Sequence, residues 1–260
     1  MKKMHPFHLV TESPWPILSS ISAMSMTHSL TLFMHFKTST PLMISITSTV
    51  LCAIQWWRDI FRESSMEGCH PKMTMKGMKL GMIFFIISEV MFFSSFFWTF
   101  FHSSISPNIE LGSAWPPQGL KMFNPLSIPL LNTILLLSSG ASITWAHHSM
   151  ASGNYKKSIK GMMFTISLGM YFTALQAMEY WQAPFSIWDS VCGSSFFVAT
   201  GFHGLHVIIG TIFLIISANQ LVKMKYSKTH MISMEAATWY WHFVDIVWLL
   251  LYSMVYWWGR

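Results

Sequence analysis

A few ionisable side chains fall inside long apolar runs, and these are the residues whose chemistry needs explaining. Glu89 stands in the middle of Ile86-Ile87-Ser88-Glu89-Val90-Met91-Phe92-Phe93. An isolated carboxylate is costly to remove from water, so it is expected to be protonated or paired. It suits a proton-linked or lipid-linked site, or a neutral hydrogen-bonded packing position. His203 and His206, in Thr200-Gly201-Phe202-His203-Gly204-Leu205-His206, are three residues apart and share a helix face. Imidazole is a common metal and haem ligand. No cysteine or carboxylate lies nearby in the chain to complete a metal set, and no second segment carries regularly paired histidines for a haem. No metal ligation is therefore expected, and hydrogen bonding between helices is the preferred role. Glu89 and His206 lie at similar depths, which predicts that they pair. His242 and Asp245, also three apart, are expected to form a structural pair or to contact a partner subunit. His147 and His148 follow Trp145-Ala146 at a helix end, where a polar ring is well placed at the membrane interface.

A second group suggests phosphate recognition rather than catalysis. In Gln55-Trp56-Trp57-Arg58-Asp59-Ile60-Phe61-Arg62-Glu63 the tryptophans favour headgroup level, and an arginine fork matches phosphate geometry. Arg58 and Arg62 lie one helical turn apart. Trp57, Arg58, Arg62 and His70 are candidates for holding a phospholipid headgroup, with generic snorkelling of interfacial side chains as the alternative. No P-loop, dinucleotide-binding glycine motif or nucleophile elbow occurs. Nor is there a voltage-sensor ladder or a filter-like loop.

The elements that carry these residues follow from where charge is missing. Segments 13–36, 38–57, 122–155 and 190–222 contain no Asp, Glu, Lys or Arg, and segments near 80–101, 161–188 and 236–259 contain one each. Lipid cannot satisfy an open backbone, so the spans are helices; unbroken apolar runs lack the alternation of a membrane barrel. The expectation is an all-α polytopic protein, one integral membrane domain over 1–260. Its seven transmembrane helices lie near 15–36, 41–57, 78–102, 128–148, 160–181, 191–220 and 236–257. With the N-terminus inside, the inner segments hold Lys2, Lys3, Arg58, Arg62, Lys72, Lys76, Lys79, Lys156, Lys157, Lys160, Lys223, Lys225 and Lys228. The outer segments hold only Lys37, Lys121 and Arg260. Such an asymmetry fixes orientation by the positive-inside rule.

Composition excludes the other classes. Only 10% of residues are charged and 52% are hydrophobic, against roughly 25% charge in soluble domains. Disorder is incompatible with 21 Phe, 13 Trp and 22 Met. Three cysteines with no CxxC cannot make a disulfide scaffold. The net charge of +6 is dispersed and is explained by topology, so no nucleic-acid partner is expected. The N-terminal run resembles neither a cleavable signal nor a transit peptide, which predicts a bacterial chain or one made inside an organelle. Few buried polar groups and no self-contained catalytic centre predict one subunit of a larger complex.

The chain resembles the cytochrome c oxidase subunit III family. The likeness rests on Gln55-Trp56-Trp57-Arg58-Asp59, Ile86-Ile87-Ser88-Glu89-Val90, Trp115-Pro116-Pro117 and Ser142-Ile143-Thr144-Trp145-Ala146-His147-His148. It continues through Phe196-Phe197-Val198-Ala199-Thr200-Gly201-Phe202-His203-Gly204-Leu205-His206 and Trp239-Tyr240-Trp241-His242-Phe243-Val244-Asp245, in order from Ser13 to Trp258. The resemblance implies two groups of helices, 1–2 and 3–7, around a V-shaped cleft filled with phospholipid. It implies a subunit without its own redox centre, belonging to a proton-translocating oxidase that passes electrons from cytochrome c to dioxygen. Haem and copper would lie in partner subunits I and II, and accessory subunits would complete the assembly. The subunit would support stability, sustained turnover and proton uptake by subunit I. The implied location is the mitochondrial inner membrane, with the N-terminus in the matrix and the C-terminus in the intermembrane space. The family's membrane-embedded carboxylate maps to Glu89, and its headgroup contacts map to Trp57, Arg62 and His70. A basic position common in relatives near the end of helix six is Gln220 here, with Lys223 as a substitute. Two other readings use the same residues: an independent transporter or proton channel built on Glu89, Asp245 and the histidines, and the homologous subunit of a bacterial quinol oxidase.

Overall fold

Proline and short polar side chains decide where these helices begin. Pro16, Pro41 and Pro129 each occupy one of the first two positions of a helix, where a missing N–H costs nothing and the fixed φ favours the first turn. Asn154 and Ser190 cap two others by accepting from the backbone N–H groups of Lys157 and Gly193. The computed structural model describes residues 7, 8, 10–109, 112–228 and 230–260, so Lys2 and Lys3, counted above on the inner side, lie outside the described residues. Among the described residues there are seven α-helices: α1 (Trp15–Phe36), α2 (Thr40–Ser65), α3 (Lys72–Ile105), α4 (Ile128–Ala151), α5 (Tyr155–Trp181), α6 (Val191–Val222) and α7 (Ile232–Leu251). A π-helical segment over Tyr252–Trp258 continues α7.

The shortest of the seven has 20 residues and the longest 34, or about 30 to 51 Å of helix, enough for a hydrocarbon core of about 30 Å. Four of them, α1, α3, α4 and α6, are apolar enough to cross a membrane by length and composition. Several ends differ from the charge-free windows: α2 runs on to Ser65, α3 starts at Lys72, and regular α-helix stops at Leu251. Charge-free sequence marks where lipid must be. The backbone gains from its hydrogen bonds beyond that depth, and Lys and Arg are good helix formers that reach for water.

The chain divides into two compact units, Met1–Met78 and Lys79–Arg260, a division that falls inside α3. In the first unit α1 packs on α2. Serine is abundant in α1 and would be expensive in lipid, but its hydroxyls turn back onto the helix. Ser22 donates to Ser19 O at 3.0 Å and Ser25 to Ile21 O at 2.9 Å. Ser29 and Ser45, both buried, meet across the two helices at 2.6 Å.

In the second unit α4 packs most extensively on α5, and α7 packs on α4 and α6. Glycines allow the close approach. A Cβ on Gly161 would sit 2.8 Å from Ala146 Cβ and 3.0 Å from Ser142 O. The largest fully buried side chains are Trp241 and Trp248 of α7. Each buried indole has an acceptor on α4: Trp241 Nε1 donates to Ser139 Oγ at 2.8 Å and Trp248 Nε1 to Thr133 Oγ1 at 3.0 Å. In the connection from α3 to α4, Trp115 Nε1 donates to Gly259 O at 3.1 Å and ties that loop to the end of the chain.

Candidate functional site

Glu89 on α3 and His206 on α6 meet in the second unit, with Glu89 Oε2 and His206 Nε2 2.9 Å apart. The other ring nitrogen fixes the chemistry of the contact. His206 Nδ1 lies 2.6 Å from the carbonyl oxygen of Phe202; a carbonyl only accepts, so Nδ1 carries a hydrogen. One proton then lies between Nε2 and the carboxyl group. On the carboxyl side the pair is acid and neutral imidazole; on the ring side it is carboxylate and imidazolium. Both arrangements have zero net charge, which is how a carboxyl group is tolerated at this depth. Rings pack around the imidazole: Phe93 at 5.1 Å, Phe243 at 6.2 Å and Tyr240 at 6.3 Å between centroids.

His203, one turn earlier, does not join this pair. It is buried, with its ring 5.2 Å from Trp248 and 5.6 Å from Phe172. Its Nε2 donates to Val244 O at 3.2 Å, while Nδ1 has no hydrogen-bond partner among the described residues. Sharing a helix face with His206 therefore brings the two rings to different acceptors on different helices.

His242 and Asp245 are brought together on α7, Nδ1 to Oδ2 3.7 Å, beyond hydrogen-bond range. The Thr144 hydroxyl of α4 donates to Gly140 O at 2.8 Å, so it accepts from His242 Nε2 at 3.2 Å. Asp245 is accommodated by Gly140, where a Cβ would lie 2.5 Å from Oδ2. Asp245 Oδ1 is buried without a partner among the described residues. His242 also borders an apolar cavity of about 360 Å³ between α3 and α7, lined by Ile86, Val90, Phe97 and Leu250 among others. His147 and His148 lie side by side near the end of α4, ring centroids 5.8 Å apart and planes tilted by 60°, the first half-buried and the second exposed.

One buried polar chain was not read from the sequence. Asn132 Nδ2 donates to Gln176 Oε1 at 3.2 Å, and Gln176 Nε2 to the Tyr256 hydroxyl at 3.4 Å. Tyr256 in turn donates to Glu179 Oε1 at 2.8 Å. Glu179 is only 1% exposed. The available signal was the single charge of the α5 span, with Gln176 one turn before it on the same face; the partners on α4 and the π-helical segment carry no such mark.

The headgroup candidates fall in two places. Trp57, Arg58 and Arg62 lie along α2 in the first unit and are exposed. Asp59 lies between the two arginines. Arg58 donates through Nε and Nη2 to Asp59 Oδ1, both at 3.2 Å, and Arg62 Nη1 stands 3.8 Å from the same oxygen. Trp15 of α1 donates to Oδ2 at 2.7 Å. This indole hydrogen bond, with the two arginines, holds the Asp59 carboxyl below the usual carboxylate range against some desolvation. No hydrogen bond from the described residues engages the Arg62 fork. His70, in the connection after α2, is buried, with its ring 5.5 Å from that of His8. Lys223 belongs to the second unit, exposed at the C-terminal end of α6.

A family model described as cytochrome c oxidase subunit III matches residues 5–260. The chain is 56% identical to the cytochrome c oxidase subunit 3 of Locusta migratoria over 255 residues, 98% of this chain and 97% of that one. It is 55% identical to the protein of the same name from Bos taurus, covering 98% of each chain. The relative from Damaliscus lunatus is likewise 55% identical over 255 residues.

Proposed function

The chain belongs to the cytochrome c oxidase subunit III family, and from that premise we propose that it is the structural, lipid-holding subunit of a respiratory oxidase. It is a multi-pass protein of the mitochondrial inner membrane and part of an oxidoreductase complex, without a redox centre of its own. The observation that carries this reading is the match along essentially the whole chain at more than half identity. The side-chain chemistry fits: His203 and His206 spend ring nitrogens on a carbonyl and a carboxyl group of the protein.

Subunits I and II are the proposed partners and the carriers of haem and copper, with accessory subunits around them. Oxygen reduction, cytochrome c oxidation and proton pumping belong to that whole. This chain contributes packing, phospholipid sites and support for proton uptake. In the first unit, Arg62 offers its fork and Trp57 its ring to an anionic headgroup, while Arg58 is partly neutralised by Asp59. Lys223 offers a separate basic contact in the second unit. The N-terminus faces the matrix and the C-terminus the intermembrane space, a reading supported by the lysine and arginine distribution. The test is affinity purification through a tag on this chain. Under mild detergent, haem absorption and cytochrome c oxidase activity should copurify; the chain stripped of partners should show neither. Flux of ions through the chain alone in liposomes, lost in Glu89→Gln, would favour an independent channel instead.

A further inference from the structure

The first unit contains a cluster of possible metal ligands that shares His70 with the headgroup candidates. Three chain segments supply it: His8 before α1, Glu63 near the end of α2, and His70 in the connection to α3. His8 Nε2 and Glu63 Oε2 are 3.3 Å apart. One ligand atom from each of the three residues lies within 4.8 Å of the other two. The His70 side chain is buried, and those of His8 and Glu63 are only 12% and 21% exposed.

We propose that His8, Glu63 and His70 form a binding site for a divalent metal ion of the zinc class. Two imidazoles and one carboxylate are a ligand set that zinc uses, leaving a fourth position for water. Around a tetrahedral zinc with bonds of about 2.0–2.1 Å, ligand atoms stand about 3.3 Å apart, which is the separation already present between His8 and Glu63. Only the third ligand has to close in. The two rings are inclined at 65° and do not stack, while one ligand atom of each lies within 4.8 Å of the other. The ion replaces the proton that otherwise lies between His8 and Glu63, and it ties the N-terminal segment to both ends of the α2–α3 connection. The family resemblance assigned His70 to a lipid headgroup, and the two uses compete for one ring.

The probe is cobalt(II), then zinc(II), added to the full-length chain in nanodiscs of zwitterionic phosphatidylcholine, which leaves out anionic lipid as a competing metal ligand. The expected result is saturation at one ion per chain, with the visible bands of four-coordinate cobalt, bleached by zinc. Glu63→Gln, close to isosteric, and His70→Ala should each weaken cobalt binding at least about tenfold, since even partners behind the ligands are worth about 10–100-fold. The unaltered chain gives a second readout: zinc should protect His8 from carbethoxylation, scored by peptide mass. Absence of saturable binding, equal affinity in Glu63→Gln, or equal modification of His8 with and without zinc would each reduce the cluster to a histidine–carboxylate ion pair and overturn the proposal.

Discussion

At the scale of single residues, Glu89 and His206 behave as one neutral object. Glu89→Gln keeps a donor toward Nε2, so stability should change by no more than about 1 kcal/mol, the net worth of an ordinary hydrogen bond. His206→Leu leaves the carboxyl group without its partner and should cost about 1–3 kcal/mol. Thermal unfolding of the purified oxidase, followed by loss of this subunit, ranks the two; the reverse order would contradict the shared-proton geometry. Asp59 gives a pH dependence with a definite sign. Its carboxyl is held below the ordinary value of 3.8, chiefly by the Trp15 indole. The stabilisation it provides is therefore complete above that value and is lost as pH falls through the lower folded-state one. The indole N–H resonance of Trp15 should shift on acidification with a midpoint below 3.8 and should not titrate in Asp59→Asn. A midpoint at or above the ordinary value would mean that the indole contact does not hold the carboxylate.

At the scale of elements, small residues set how closely helices approach. Gly161 brings α5 against Ala146 and the backbone of Ser142 on α4, so Gly161→Ala has to push two helices apart. Overpacking of this kind costs about 1–3 kcal/mol. Gly204 on α6 has no atom within 4 Å of where a Cβ would be. Gly204→Ala should be neutral or slightly stabilising, because alanine favours the helix by about 1 kcal/mol. Comparing the two variants by thermal unfolding separates interhelical crowding from helix propensity. The π-helical turn after α7 has a comparable local purpose: it places Tyr256 against Glu179 and Gln176 of α5. Tyr256→Phe removes the donor to a buried carboxyl group and should destabilise by about 1–3 kcal/mol; an unchanged unfolding midpoint would show that Glu179 finds another partner.

At the scale of the whole molecule, the predictions concern lipid and orientation. Arg62→Ala should lower the anionic phospholipid retained by the purified oxidase and shorten the time over which turnover is sustained, with little effect on the initial rate. Unchanged lipid content and unchanged decay would remove the headgroup site. In mitoplasts, a protease added outside should cut an epitope at the C-terminus and spare one at the N-terminus. Cleavage of both would reverse the topology inferred from the basic residues.

What the chain wrote into its sequence is what the bilayer reads one residue at a time. The hydrocarbon core penalises every charge and every unpaired backbone group, so class and helical architecture follow from local composition. The similar depth of Glu89 and His206 was legible for the same reason. Helix ends were less so, because α2 and α3 run on beyond their charge-free windows. Only the tertiary structure decided which atoms meet. Trp15 and Asp59 are 44 residues apart, and Tyr256 and Glu179 are 77 apart. His8, Glu63 and His70 come from three separate segments. Such contacts depend on how each helix is turned about its axis and how closely its glycines let a neighbour approach, and those are properties of packed pairs of helices, which no single stretch of sequence contains.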